Sequence, residues 1–253
     1  MVLGPLRGTS GVQTAVMFLL ASIVTSAAAA AVVSPRSLAE TEGNGGEGTT
    51  GFLGVSPETV LYQIAASELT VQGLAVGDSI IGVRARLNSG LQTGPATPTS
   101  WPDFTIKLAL ATNSIGTMST TFASNMMNPV TVLTGPYTLP ANSMPGGSTP
   151  NAFGTLIQFT TPYTYQGGDL AFYFSHNPAS GPAIPQDGSN SYTGVGTLYR
   201  GLITSVPNAT TGSFTPALVV LQFETVPEPA AASLICAGAA PLSLGRRRGM
   251  RSA

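Results

Sequence analysis

The chain has 253 residues, with 43% hydrophobic residues, 30 Gly and 20 Pro, which is enough apolar material for a core and excludes global disorder. Charged residues make up only 8%, against about 25% in an ordinary soluble domain, and Lys107 is the single lysine, so no basic stripe exists to hold nucleic acid. Cys236 is the only cysteine and lies in an apolar stretch near the end, which excludes an intramolecular disulfide and a thiolate metal site from the folded part.

From the N-terminus, Arg7 precedes an apolar run over 15–24, followed by Thr25, Ser26 and the small-residue tract 27–31. This three-part layout is that of a secretory signal peptide over 1–30, with cleavage expected after Ala28, Ala29 or Ala30. As helix the apolar run spans about 15 Å, half of a bilayer core of about 30 Å, so it does not make a comfortable permanent anchor. Residues 40–51 read E-T-E-G-N-G-G-E-G-T-T-G, without an apolar residue, and predict a flexible Gly-rich linker over 31–51.

Beyond the linker, alternation with period two recurs. The clearest strand is 104–110, where Phe104, Ile106, Leu108 and Leu110 point one way and Thr105, Lys107 and Ala109 the other. Over 81–87 the pattern turns Ile81, Val83, Ala85 and Leu87 inward and Gly82, Arg84 and Arg86 outward. Further strands are predicted at 60–64, 68–72, 130–133, 155–159, 170–174, 197–203 and 218–223, about nine in all. Gly, Pro, Ser and Asn dominate 88–102, 140–151 and 177–194, which read as turns. Many short strands with one polar face and no helical crossover predict an all-β domain over 52–225. The expected architecture is an antiparallel two-layer β-sandwich of jelly-roll type. A repeat solenoid is the alternative, but no period of 20 to 50 residues is found.

The sequence is poor in chemistry. His176 is the only histidine, which excludes a His-based metal cluster, and no G-x-S-x-G elbow or glycine-rich nucleotide loop accompanies it. No cofactor, metal or catalytic residue is expected. The acids Glu58, Glu68, Asp103, Asp169, Asp187 and Glu224 supply a carboxylate pair only if the fold brings two of them together in a cleft, as a secreted hydrolase requires. Asp187-Gly-Ser-Asn190 offers oxygens to Ca²⁺ but lacks the acidic spacing of a calcium loop. Trp101, Tyr163 and Tyr165, with Tyr173, Tyr192 and Tyr199, are candidates for stacking on sugar rings, which makes a carbohydrate-binding module the first alternative.

The C-terminal segment 226–253 is the most informative. Val226 is followed by Pro227, Glu228 and Pro229, then by a mostly apolar run over 230–244, then by Gly245 and the cluster Arg246, Arg247 and Arg248. Two prolines around a glutamate continue neither a strand ladder nor a helix, so this handle stays extended. The apolar run, about 22 Å as a short helix, spans a bilayer only marginally, and the arginines hold its far end on the cytoplasmic side. This order of features resembles the PEP-CTERM sorting signal. The apolar run is broken here by Pro241, and five residues trail the basic cluster. The resemblance implies an exported protein, anchored transiently in the inner membrane, and the poverty of catalytic residues makes the expected role non-enzymatic. Pro227, Glu228 and Pro229 would then be the substrate motif of an exosortase, a membrane-embedded transpeptidase. Delivery to the cell surface or to extracellular polysaccharide would follow. The stretch from Phe159 through Gly167-Gly168 to Phe174 also looks like a segment common in β-sandwich ectodomains that carry such tails, implying strand, turn and strand.

Overall fold

The structure is a computed structural model that describes residues 30–47, 51–190 and 193–228. It is all-β with antiparallel sheets, as the alternation predicts. Strands are numbered in chain order. One sheet has the order β1 (Ala30–Ser34), β15 (Leu221–Val226), β4 (Ser79–Ala85), β9 (Ile157–Thr164). The larger sheet has the order β13 (Ser213–Thr215), β12 (Tyr199–Thr204), β3 (Glu58–Ile64), β10 (Leu170–His176), β6 (Phe104–Ala111), β7 (Met126–Leu133). Two small sheets complete the fold: β14 (Leu218–Val219), β11 (Gln186–Ser189) and β2 (Gly45–Glu47), and β5 (Thr99–Trp101) with β8 (Tyr137–Leu139).

The two large sheets share one core. Phe172 of β10 meets Phe223 of β15 with ring centroids 5.5 Å apart, and Phe52, from the loop before β3, packs edge-on against Phe104, Phe172 and Phe174. Such edge-to-face contacts suit the ring quadrupole. Val60, Ile64, Ile80, Val83, Ile106, Leu108 and Ile157 fill the rest of this layer. The turn at Gly167-Gly168 lies between strands as expected, and both glycines have positive φ (81° and 72°). It does not close a hairpin, however: β9 belongs to one sheet and β10 to the other, so the turn carries the chain across the sandwich.

Strand β10 is buried along its whole length because its outer face is covered as well. There Leu61, Tyr173 and Leu202 pack against Met118 and Phe122 from the connection between β6 and β7. Asn125 holds that connection in shape, its Nδ2 donating to the carbonyls of Ser119 and Thr121 and its Oδ1 accepting from Ser119 N–H.

Three expectations need correction. Residues 68–72 are not a strand; Ala66–Thr70 is a one-turn helix, α1. Its register puts Glu68 and Gln72 on one face, against β1. Gln72 accepts from Val33 N–H and donates to Val33 O, and Glu68 accepts from Arg36 N–H. An amide side chain thus stands in for the missing neighbour of an edge strand. Second, a β-bulge between Ile80 and Gly82 shifts the register of β4, so Ile80 joins the core and Ile81 is half-exposed.

The third correction concerns 31–51, which is not a flexible linker through most of its length. Ala30–Ser34 is β1, paired to the last strand, and Gly45–Glu47 is β2, paired to β11. Between them the chain closes over Arg86, which is 1% exposed rather than outward in solvent. Arg86 donates to the carbonyls of Leu38, Ala39 and Thr41 and pairs with Asp187, Nη2 to Oδ2 at 2.6 Å. Asp187 in turn accepts from Gly43 N–H. The folded unit therefore includes residues 30–47 and does not start at 52.

Candidate functional site

Strands β1 and β15 run antiparallel, with Ala30 opposite Thr225, and the Thr225 hydroxyl donates to Ala30 O at 3.1 Å. The N-terminal entry and the C-terminal exit of the fold therefore lie side by side at one end of the smaller sheet. Beyond the pair formed by Val226 and Ser79, the chain continues into Pro227 and Glu228.

Glu228 is seated on the turn that precedes β4. Asp78, a buried acid, accepts the Glu228 N–H on Oδ1 (3.1 Å) and the Ala75 N–H on Oδ2 (2.8 Å). The backbone of the same turn is fixed by reciprocal bonds with Tyr165: Gly77 N–H to Tyr165 O at 3.0 Å, and Tyr165 N–H to Asp78 O at 2.8 Å. Gly77 has φ +99°, and a Cβ there would come within 2.3 Å of Glu228 Oε2, so the glutamate side chain lies over a residue whose lack of one admits it. Glu228 is exposed and Pro227 half-buried. Pro229, the run 230–244 and Arg246, Arg247 and Arg248 lie outside the described residues. Among the described residues no helix is long and apolar enough to cross a membrane.

The aromatic candidates are placed differently from the expectation. Trp101 is 1% exposed; its indole N–H donates to Gly54 O, and its ring lies against Phe104 and Tyr137. Tyr163 and Tyr165 are buried too, and the Tyr165 hydroxyl donates to Gly168 O at 2.6 Å. Burial, with the nearby Tyr165 adding to it, pushes the Tyr163 phenol up to about 12. Tyr173 and Tyr199 are buried, and Tyr192 lies outside the described residues. None of Trp101, Tyr163 and Tyr165 offers a ring face to a sugar, because all three are buried among the side chains of the core. The stacking role is corrected for all three.

Several of the acids are likewise engaged with backbone and cations. Asp169 accepts from Ala66 N–H at the start of α1, and Glu224 pairs with Arg84 at 3.2 Å. Asp187 is committed to Arg86 and Gly43, and the Ser189 hydroxyl donates to Asn44 Oδ1, so the one carboxylate of the 187–190 segment is already engaged. Glu58 and His176 are cross-strand neighbours on β3 and β10, with Nε2 3.4 Å from Oε1 and both side chains buried. The imidazole stacks on Phe104 (5.5 Å between centroids) and its Nδ1 lies 3.0 Å from Asn177 O, a geometry that places a proton on Nδ1. Four surface grooves, up to about 680 Å³, carry between them a single carboxylate, Glu40. A hydrolytic pair of acids would need a shared cleft, and none of these four grooves supplies one. They contain no group of three or more His, Cys, Asp or Glu able to hold a metal.

The seat formed by Gly77 and Asp78 was not evident in advance. A Gly-Asp step before a strand signals a turn, but only the pairing of that strand with the last one brings the turn to the handle. No protein-family model, curated protein or solved structure matches the chain.

Proposed function

We propose that the chain is an exported, non-enzymatic surface protein whose β-sandwich is delivered to the cell surface or extracellular polysaccharide. A signal peptide at one end and a PEP-CTERM-like tail at the other would deliver it. The observation that carries this reading is the order Pro227-Glu228-Pro229, apolar run, Arg246-Arg247-Arg248. An exosortase-type transpeptidase would act on the handle while the apolar run sits transiently in the inner membrane. The geometry of the fold supports it: both membrane-directed segments leave from adjacent strands at one end, so neither has to pass around the sandwich to reach the same bilayer.

Intact-mass spectrometry of the exported chain, in a bacterium that carries such a transpeptidase, tests the proposal. The expected species begins at residue 29, 30 or 31 and lacks Arg246 to Arg248, whereas a chain deleted for 227–253 passes straight into the medium. A mature species still bearing Arg248 would overturn the reading.

A further inference from the structure

Of the three residues of the handle, two are prolines and have no backbone N–H. Glu228 supplies the single main-chain donor of Pro227-Glu228-Pro229, and the fold takes that donor up in a bond to the carboxylate of Asp78. Asp78 is well placed to keep it. Its other oxygen is fixed by Ala75 N–H, its own backbone by Tyr165, and Gly77 leaves room for the Glu228 side chain to lie across the turn. An enzyme that binds an extended handle by main-chain pairing needs the same N–H group.

We propose that the Ala75–Asp78 turn is a seat that competes with the processing enzyme for the handle, so that unseating of Glu228 from Asp78 precedes processing. The inference rests on the sorting reading above and adds a regulatory contact to it. The sandwich then sets how fast its own tail is used, through a residue 150 positions away in the chain. Asp78 is a positioning residue here: it holds the substrate segment and takes no part in the chemistry.

The test uses the full chain in a host with the transpeptidase, following tail removal by pulse labelling and intact mass. Asp78→Ala is expected to speed processing by about threefold to tenfold, the scale of one lost charge-assisted hydrogen bond at a partly exposed site. Asp78→Asn, which keeps a neutral acceptor, should fall between it and the wild type. Asn125→Ala, which loosens the far cover of the larger sheet without touching the seat, is the control for global destabilisation. In the purified unprocessed chain, the Glu228 amide should exchange slowly with deuterium and become fast in Asp78→Ala. Unchanged processing in Asp78→Ala, or equal acceleration by Asn125→Ala, would overturn the gate while leaving the sorting reading in place. A wild-type chain that is never processed would sink the sorting reading, and the gate with it, even with Glu228 protected.

Discussion

Arg86 and Asp187 form an ion pair inside the molecule, a placement that is costly unless every donor and acceptor finds a partner. Here most of the demand is met by backbone: three carbonyls from 38–41 take three more of the five guanidinium hydrogens, and Gly43 N–H donates to the second carboxylate oxygen. The pair is therefore a template on which an otherwise featureless polar segment acquires one conformation. Removing one partner strands the other. Asp187→Ala leaves a buried cation without its hydrogen-bonded carboxylate, and the expected loss is about 3–5 kcal/mol, read from urea unfolding of the domain. The double replacement of Arg86 and Asp187 by Met and Leu should recover part of that loss, although the carbonyls of 38–41 would still lack donors. A single variant that costs under about 1 kcal/mol would mean that water reaches the site and that the pair is a surface one.

The same segment decides what counts as an element. Cutting the chain at Phe52, where composition places the start of the domain, removes β1 from β15 and β2 from β11, and takes away the carbonyls that satisfy Arg86. A chain of 52–228 is expected to lose the cooperative thermal transition that a chain of 30–228 shows by circular dichroism. Equal melting curves would mean that 30–51 is dispensable after all. The longer strands were legible in the sequence because β3, β6 and β10 carry enough apolar residues to show a period or an unbroken run. Those that escaped notice, β2 (Gly-Gly-Glu) and β11 (Gln-Asp-Gly-Ser) among them, have no pattern to show; their pairing is imposed by partners distant in the chain. Residues 68–72 misled for a different reason. Five residues fit a period of two and a helical i, i+4 face equally well, and the bonds of Gln72 to Val33 and of Glu68 to Arg36 settle the choice only in three dimensions. The handle was legible as a motif, but its seat was not, because Asp78 and Glu228 meet only once β4 and β15 have paired.

At the scale of the molecule, the smaller sheet is closed by its first and last strands, with Ala30 bonded to Thr225 across 195 residues. So distant a pairing forms late, since the ends must be brought together before the contact rewards it. In the proposed export route this sets an order of events. The expected signal-peptide cuts, after Ala28, Ala29 or Ala30, fall at or immediately before β1. A protease needs several residues of extended, unpaired chain around its cut, and β1 in the finished sheet is paired on one side and capped by Gln72 on the other. Signal removal is then expected to be fastest before β1 docks on β15, while the chain is still emerging. The consequence is measurable with purified precursor and signal peptidase in detergent. Precursor freshly diluted from urea should be cut on the order of tenfold faster than precursor allowed to refold, because cleavage of folded chain waits for local opening of the edge strand. Gln72→Ala, which removes the cap and weakens the hold on β1, should narrow the gap by speeding cleavage of the refolded form. Equal rates for unfolded and refolded precursor would show that the first strand is open to the enzyme in the finished fold.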